Sequence, residues 1–489
     1  MNVFHKFPRT FWVANTIELV ERWAWYGFFL LFANYLTGSS DTGGLEFSQS
    51  QKGWIMGVGT GILYFLPVLT GAVADRYGYR RILFLSFIIY ISAFLLLPQF
   101  TSFAGVFLIY LCLALGAALF KPIVSATVAK TTTDETASIG FGLFYMMVNI
   151  GAFFGPLVTL LFKDTPQLVF HISAAMVALN FILLLFYKEP ARAKEIRQES
   201  LWQTFAGIFC TMASIFKDRK FLVFLVIVSG FWVTYFQLFF ILPVFISQWV
   251  DTSAVYDFFS IHIPFISENY SPMTGVMDAE FITNMDALCI ILLQIVVSGI
   301  VMRMRPLRSM MSGFLVCALG MSLTMASQNV LFTLAALLVF SLGEMAGSPK
   351  ITEYIGRIAP PDKKALYMGY SFIPVFIGST FGGFLSGSVY QSLSDKVTLT
   401  QRFIAEKGLQ TAGNLSANAR FEETARQVNL TPQQLTGLLW NDYNPDRIGW
   451  VVLTVGLLAA FSLFLYDRAA TTNFSNSHPQ WLETPCNQS

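Results

Sequence analysis

Three charged side chains lie inside an apolar stretch near the start of the chain, in the run "ELVERWAWYG". Glu18, Glu21 and Arg22 are spaced by three and four residues, so they share one face of a helix. A charge at the centre of a bilayer costs about 2.5 to 3.5 kcal/mol on insertion scales. The chain therefore has to place these groups against partners or in a wet cavity.

The stretch has two carboxylates for one nearby cation, and such a charge imbalance can serve to carry a proton. Arg22 can neutralise one carboxylate, which leaves the second either protonated or paired with another cation. Lys121, in the later apolar run "ALFKPIVSA", lies at a similar depth and is the natural candidate. A carboxylate whose protonation changes when its partner leaves can carry a proton. The alternative is a buried ion-pair network that only fastens two helices together.

A third carboxylate lies in the run "LGEMAGSPKITEYIG" of the second half. Glu344 is expected near the bilayer midplane, and Pro349 is expected to break or kink the helix just after it. Lys350 and Glu353 are three residues apart, a spacing that favours local mutual neutralisation.

The composition indicates an integral membrane protein. Of 489 residues, 55% are hydrophobic and 12% are charged, and the mean hydropathy is +0.58, outside the balance of soluble domains. The net charge of +2 gives no basic field, so we expect no nucleic-acid partner. The five cysteines lie far apart, mostly in apolar runs, and are interpreted as core packing with no metal site.

Twelve segments are apolar and long enough to cross a bilayer, since a helix needs about 20 residues to do so. They are predicted near residues 11–37, 51–74, 81–98, 103–129, 139–162, 168–188, 221–248, 279–302, 308–327, 331–357, 365–390 and 447–467. Lys and Arg are concentrated in alternate loops, which predicts a multi-pass protein of the cell's inner (plasma) membrane with both termini cytoplasmic.

We predict an all-α fold of two six-helix bundles, at residues 1–190 and 221–467. A basic amphipathic linker at 191–220 joins them, and a cytoplasmic tail follows at 468–489. Two parallel halves of this kind place a substrate site between them near the midplane. The polar segment 391–446 is predicted as a small extracytoplasmic insertion with short helices, because "LTPQQLTGLLW" carries a Thr-Pro helix start. It is either a cap or a tolerated insertion with no role.

The loop after the second span reads "GAVADRYGYRR". It resembles the G-x-x-x-D-R-x-G-x-R-R loop of the major facilitator superfamily, in which the aspartate caps a neighbouring helix and the arginines grip the inner face. The matching positions are Gly71, Asp75, Arg76, Gly78, Arg80 and Arg81. The resemblance implies the twelve-helix fold of that superfamily and says nothing about the substrate.

Further runs with matching polar positions occur in both halves. They are "ELVERWAWYG", "YFLPVLTGAVADR", "FKPIVSA", "FYMMVNIGAFFGP", "FWVTYFQ", "ITNM" and "GEMAGSP". The first resembles the ExxER[FW]xxYG signature of the proton-dependent oligopeptide transporter (POT) family, and the others follow in that family's order. Because the polar positions agree, chance similarity of apolar helices does not explain the match.

The POT resemblance implies roles for individual residues. Proton coupling is implied for Glu18, Glu21, Arg22, Lys121 and Glu344. A peptide's carboxylate would be received by Arg22, Lys121 and Asn149, and its amino group by Asn284 and Glu344. The pocket would be lined by Tyr26, Tyr64, Tyr145, Trp232 and Gln237. A zwitterion needs a cationic and an anionic pole on facing halves, which these positions provide, although each aromatic residue alone is more often simple helix packing.

The chain departs from the family at the outer gate. Many members carry an arginine after the YG of the first helix and an acidic residue before the Gln of the seventh, where this chain has Phe29 and Phe236. We expect these two to form an aromatic gate in place of a salt bridge, and the helix ends around Pro122 and Pro349 to open the inner side. Further departures around the expected side-chain pockets, which bear on substrate choice, are Ser371, Lys350 and Asp286.

The sequence therefore predicts a proton-coupled symporter that imports di- or tripeptides, or closely related small zwitterions, by alternating access. Its partners would be the peptide, protons and lipid, with protons as the coupling ion, no cofactor, and a monomer as the working unit. The alternative is a proton-coupled transporter of another solute, such as a drug antiporter or a carrier of a non-peptide acid. Arg22 and Lys121 argue against a cationic drug. The chain has no HExxH, GxSxG or Walker loop, so we do not expect an enzyme.

Overall fold

The computed structural model describes residues 7–133, 136–190, 218–359 and 364–476, together with Trp202 and Phe205. These residues form helices and loops, and the described parts contain no β-strand beyond two isolated bridges. The predicted linker 191–220 lies mostly outside the described residues.

Seven helices make up the first half of the described chain. They are α1 (Arg9–Thr37), α2 (Gln49–Phe65), α3 (Pro67–Tyr77), α4 (Tyr79–Leu96), α5 (Phe103–Lys130), α6 (Ala137–Leu160) and α7 (Pro166–Phe186). The long helix α1 packs against α5, α6 and α7, so its charged face is surrounded by other helices of the same half.

The second half contains more and shorter elements, because several of its spans are interrupted. They are α8 (Arg219–Tyr235), α9 (Gln237–Phe240), α10 (Leu242–Trp249), α11 (Ser253–His262), α12 (Pro264–Asn269), α13 (Ala279–Thr283), α14 (Met285–Val301), α15 (Pro306–Leu323), α16 (Val330–Ile358), α17 (Lys364–Tyr370), α18 (Phe372–Phe384), α19 (Tyr390–Leu393), α20 (Lys396–Lys407), α21 (Ala417–Gln427), α22 (Pro432–Tyr443) and α23 (Arg447–Asn476). A π-helical turn, Leu385–Val389, joins α18 to α19.

A described helix or group of helices lies at each of the twelve predicted spans, but not all twelve have the length and apolar character of a membrane span. Ten described helices are long and apolar enough to cross a membrane, and the pair α2 and α3, bent by 44°, makes an eleventh. Helix α1 is 29 residues long, but Glu18, Glu21 and Arg22 near its middle lower its apolar character. The all-α prediction is therefore confirmed, with α1 as an unusually polar member of the bundle.

Prolines mark the breaks in some spans but not in others. Pro67 begins α3 directly after the bend, and Pro243 lies in the first turn of α10, after the break that follows α9. Pro122 and Pro349 instead lie inside the continuous helices α5 and α16. The expectation that Pro349 could end its helix is not met, because backbone hydrogen bonding continues past it to Ile358.

The two halves approach each other most closely where α2 meets α18. A Cβ added to Gly57 would lie 2.6 Å from the Cα of Gly383, and one added to Gly53 would overlap the Gly383 carbonyl oxygen. Glycine at these positions lets two helix backbones touch, which larger side chains would prevent.

The segment 391–446 folds into the three short helices α20, α21 and α22. The Thr431 side chain accepts a hydrogen bond from the Gln434 amide, and the Gln434 side chain accepts one from the Thr431 amide. This reciprocal cap confirms the predicted Thr-Pro helix start. We call the end of the bundle that carries this segment the insertion face.

The loop between α3 and α4 turns at Gly78, whose φ of 103° is readily adopted by glycine. Asp75 accepts a hydrogen bond from the Tyr79 hydroxyl at 2.8 Å. The first amide of α4, that of Tyr79, donates to the Glu189 carboxylate at 3.0 Å. The carboxylate that accepts from the first amide of α4 is therefore that of Glu189, while Asp75 contacts α4 through the Tyr79 hydroxyl.

The cysteines do not share one environment. Among the described residues, Cys317 is buried and Cys112 is exposed, while Cys289 is partly buried. Core packing therefore describes Cys317 but is wrong for Cys112, which faces outward from α5 on the apolar surface of the bundle.

Candidate functional site

The charged face of α1 forms one compact network. The Arg22 guanidinium donates to both oxygens of Glu21, at 2.5 and 2.6 Å, and its Nε lies 3.3 Å from a Glu18 oxygen. The Tyr90 hydroxyl of α4 also donates to Glu21. All four side chains are buried. One guanidinium thus contacts two carboxylates, and the imbalance of two carboxylates for one cation that the sequence indicated is present in the structure.

Lys121 is near this network but outside it. Its ammonium lies 3.9 Å from the centre of the Tyr64 ring, a cation–π contact. Within the described part of the chain, no carboxylate lies within ion-pair distance of Lys121. Lys121 is therefore a partly buried cation near the network, and the contact described for it is with an aromatic ring.

A cavity of about 180 Å³ lies between the halves, bounded mainly by α1, α6, α8, α14 and α16. Five of the predicted site residues line it: Tyr26, Tyr145, Asn149, Asn284 and Glu344. The other predicted pocket residues, Arg22, Tyr64, Lys121, Trp232 and Gln237, do not line this cavity. The structure adds Tyr235 and Asp286 to the lining. The small volume, below the 300 Å³ or so of drug-sized pockets, favours a small solute.

Three buried polar atoms at predicted site residues lack a hydrogen-bond partner among the described residues. They are the Trp232 indole nitrogen, the Gln237 side-chain oxygen and one carboxylate oxygen of Glu344. Buried polar atoms in folded proteins are nearly always bonded, so unpaired ones call for a specific explanation. Of these three residues, only Glu344 lines the cavity.

Two asparagines at the cavity already have protein partners. Asn284 falls at the break between α13 and α14, and its amide donates to the Phe153 carbonyl of α6 at 3.0 Å. Asn149 donates to the Tyr145 carbonyl one turn earlier. Asn284 therefore ties the two halves together here, so it would have to exchange this bond to receive a substrate.

Above the cavity, toward the insertion face, aromatic rings close the passage. Phe29 and Phe236 are both buried, at 3% and 2% exposure. The Phe29 ring lies 5.3 Å from Phe239 and 6.4 Å from Phe240, and Phe236 stacks on Phe240 at 5.4 Å. The predicted aromatic layer is present, but Phe29 and Phe236 meet through Phe240 because the helix breaks after Phe240 and turns its ring between them.

Polar contacts reinforce this closure. Lys52, which is fully buried, donates to the Phe240 carbonyl at 2.7 Å from the opposite half. Lys52 lies inside a predicted apolar span, and this unusual position was the signal in the sequence that could have identified it as a contact residue. In the first half, Asn34 and Lys163 make two further contacts across the halves, donating to Glu280 at 2.7 Å and to Asp278 at 2.5 Å.

A second, larger cavity of about 520 Å³ lies outside the aromatic layer, on the insertion face. Its walls include Asn34, Glu280 and the Lys163–Asp278 pair, and the insertion contributes Lys396 and Arg420. The insertion thus forms part of the vestibule wall, which supports a structural role for at least some of its residues.

The insertion also binds the loop between α1 and α2. The Ala417 amide, at the start of α21, donates to the Glu46 carboxylate at 2.9 Å, and the Asn418 amide donates to the Ser39 hydroxyl at 3.1 Å. Partial burial opposes ionisation of Glu46, but hydrogen bonds from Ser40 and Ala417 outweigh it and lower the pKa of Glu46. This contact joins a segment of the second half to a loop of the first.

These features define a membrane transporter whose two halves enclose a small polar cavity. The sequence model of the Major Facilitator Superfamily matches residues 16–263, just over half of the chain. The chain belongs to the major facilitator superfamily.

The fold is shared with solved transporters of the POT branch. A POT family transporter in complex with 5-aminolevulinic acid superposes with a TM-score of 0.69 at 16% identity, covering 95% of this chain and 97% of that one. A peptide transporter bound to alafosfalin gives 0.66 at 17% identity, covering 94% and 95%. A nucleoside transporter also gives 0.66, at 15% identity, covering 94% and 99%. At these identities the likeness establishes the fold.

Sequence relatives fall into two groups. A di-/tripeptide transporter of Lactococcus lactis subsp. lactis is 26% identical over 185 residues, 37% of each chain. A Na⁺, Li⁺, K⁺/H⁺ antiporter of Planococcus maritimus is 23% identical over 349 residues, 68% of this chain and 80% of its own length. The peptide-transporter match is shorter, and the antiporter match is longer at a slightly lower identity.

Proposed function

We propose that the chain is a proton-coupled symporter that imports di- or tripeptides, or closely related small zwitterions, by alternating access. The observation that carries the proposal is the distribution of charge between the two halves. Lys121 and Arg22 lie in the first half, outside the lining of the central cavity, and the Arg22 guanidinium is 5.9 Å from the ring centre of Tyr26, which lines the cavity. Glu344 lies on the cavity wall in the second half. A zwitterion placed between the halves would find an opposite charge at each end.

The proton would act on the α1 network. With both glutamates ionised, Arg22 is held by Glu18 and Glu21 and cannot turn to a substrate. Protonation of one carboxylate would weaken that hold and release part of the guanidinium's binding capacity to the substrate carboxylate, beside Lys121. Binding of proton and peptide would then favour each other, which is the thermodynamic requirement for coupled transport.

The closed insertion face would be the extracytoplasmic side, with both termini cytoplasmic. Phe29, Phe240 and the Lys52 contact would separate to admit substrate from the vestibule. The matching halves complete a transport pathway within one chain, so we propose a monomer as the working unit.

The test is the Glu21→Gln variant in proteoliposomes. The variant should still exchange labelled dipeptide across the membrane at a rate within about twofold of the parent, because the cavity is intact. It should lose uphill uptake driven by a pH gradient, because a glutamine at this position cannot take up and release a proton. The matched control is Glu422→Gln in the insertion, whose side chain is 57% exposed and which should keep both activities. Full concentrative uptake by Glu21→Gln would refute the role of Glu21.

A second candidate is a proton-coupled antiporter of a cationic solute. It is favoured by the cavity wall, which carries carboxylates while no Lys, Arg or His is among its described lining residues. The two candidates differ in the direction of solute movement relative to protons. A symporter acidifies the vesicle lumen when dipeptide enters. An antiporter extrudes a cation as protons enter, and it does so without any peptide. A luminal pH dye read with dipeptide, with an amphipathic cation and with neither distinguishes them.

A further inference from the structure

The cavity wall contains a second carboxylate, Asp286, that has no place in the zwitterion scheme. Asp286 is in the first turn of α14, is 6% exposed, and lines the same cavity as Glu344. Its Oδ1 accepts a hydrogen bond from the Ser341 hydroxyl at 2.5 Å. Ser341 precedes Glu344 by three residues on α16, a rise of about 4.5 Å along the axis. The two carboxyl groups therefore lie about one helical turn apart on one wall.

No local cation balances this pair. The cavity lining includes no basic residue among those described, and Arg22 is held by Glu18 and Glu21 in the other half. One oxygen of Glu344 is buried without a hydrogen-bond partner among the described residues. Buried carboxylates need a counter-charge or hydrogen-bond donors. This wall has no basic side chain among its described residues, and a cationic ligand could supply the missing charge.

A neutral dipeptide brings one positive charge to this wall, on its amino terminus, and that charge can satisfy only one carboxylate well. A first residue with a basic side chain brings a second positive charge a few bonds away, on the same end of the peptide. Tyr26, Tyr145 and Tyr235 around the cavity add aromatic faces, which attract cations further.

We propose that Asp286 is a specificity-determining residue that selects peptides whose first residue carries a cationic side chain. Glu344 would take the α-amino group, and Asp286 would take the side-chain ammonium or guanidinium. This inference rests on the proposed function, because it assigns a substrate class to the same cavity.

The experiment is competition for uptake of labelled Ala-Ala by the full chain in proteoliposomes, with unlabelled Lys-Ala, Ala-Lys and Ala-Ala as competitors. Lys-Ala should compete at a concentration about tenfold lower than Ala-Ala, as expected for one well-placed desolvated charge pair. Ala-Lys has the same net charge with the cation on its second residue, so it should compete no better than Ala-Ala. This comparison uses the unmodified protein and does not depend on a variant folding.

The Asp286→Asn variant then assigns the preference to one side chain. Asparagine can still accept the Ser341 hydrogen bond, so the fold should be retained, with a thermal-unfolding midpoint near that of the parent. The Lys-Ala advantage should disappear. The control, Asp257→Asn, removes an exposed carboxylate on α11 and should leave the advantage intact.

Each remaining outcome counts against the proposal. Equal competition by Lys-Ala and Ala-Lys with the unmodified protein would overturn the inference while leaving peptide transport in place. So would an equal weakening of Lys-Ala and Ala-Ala competition in Asp286→Asn. A purely structural role for Asp286 would lower Ala-Ala and Lys-Ala alike. Absence of uptake of any dipeptide by the unmodified chain would overturn the proposed function and this inference together.

Discussion

Arg22 is the buried cation at the centre of the charged face of α1. It is 4% exposed and serves two buried carboxylates. Removing one member of a buried ion pair leaves an uncompensated charge, whereas removing all members leaves none. All three side chains belong to α1, so these contacts balance charge within one buried helix, and the Tyr90 hydroxyl of α4 links the network to a neighbouring helix.

Replacement of Arg22 should be strongly destabilising. Arg22→Met leaves Glu18 and Glu21 without their cation, and we expect a loss of about 3 to 5 kcal/mol, measured as a lowered thermal-unfolding midpoint in detergent. Adding Glu18→Gln and Glu21→Gln should recover most of that loss. A triple variant no more stable than Arg22→Met would show that packing of the guanidinium, and not its charge, holds the site.

Lys121 should behave in the opposite way, because its described contact is with the Tyr64 ring and not with a carboxylate. Lys121→Gln should cost no more than about 1 to 2 kcal/mol, the range of a desolvated cation–π contact. It should reduce dipeptide binding at least tenfold, measured by the ligand-dependent rise in unfolding midpoint. Unchanged binding in a stable Lys121→Gln protein would remove Lys121 from the cationic pole.

At the scale of elements, the closeness of α2 and α18 determines whether the insertion face can shut. Gly57→Ala would put a methyl carbon 2.6 Å from the Gly383 Cα, closer than two non-bonded carbons can approach, so the helices must separate. We expect faster labelling of a cysteine placed in the vestibule at Asn34 and slower transport. Gly142→Ala on α6 is the matched control, since a Cβ there meets nothing within 4 Å. Equal labelling in both variants would mean that α2 and α18 close without backbone contact.

The loop between α1 and α2 should respond to pH through Glu46. Its lowered pKa means that the contact with Ala417 is fully formed at neutral pH and is lost as pH falls below the ordinary range of a glutamate. Hydrogen exchange at the start of α21 should therefore accelerate on acidification, after correction for the intrinsic pH dependence of exchange. Glu46→Gln should remove the change, and an identical pH response in that variant would assign it to another group.

The elements also show what a sequence can and cannot reveal. Apolar length located eleven candidate spans, and α1 instead carries the stripe of Glu18, Glu21 and Arg22, which correctly predicted a buried charged face. The breaks after Phe65 and Phe240 were less accessible, because proline is compatible both with a break and, as at Pro122, with a continuous helix. The pairing of Phe29 with Phe240, and the sharing of Arg22 by two glutamates, depend on side-chain directions that spacing alone does not specify.

At the scale of the whole molecule, the insertion is placed to limit the motion of the two halves. It is part of the second half, yet Ala417 and Asn418 are bonded to the loop of the first. If the halves separate on this face during transport, those bonds must break in every cycle.

A disulfide across this contact should therefore stop transport. The Asn418 amide lies 3.1 Å from the Ser39 hydroxyl, so Ser39→Cys with Asn418→Cys, in a background lacking the five native cysteines, should cross-link on oxidation. Uptake should fall to background and return on reduction, while each single variant remains active under both conditions. Full uptake by the cross-linked protein would show that the insertion follows the first half throughout the cycle.

Lys52 gives the closed gate a further property. Its ammonium and the Phe240 carbonyl satisfy each other in surroundings that exclude water. When the halves part, both groups lose their partner, and an unsatisfied polar group in such surroundings costs several kcal/mol. Water has to enter as the contact breaks. Opening of this gate is therefore a wetting event in which solvent molecules are reactants, and its rate depends on water activity as well as on the arrival of substrate.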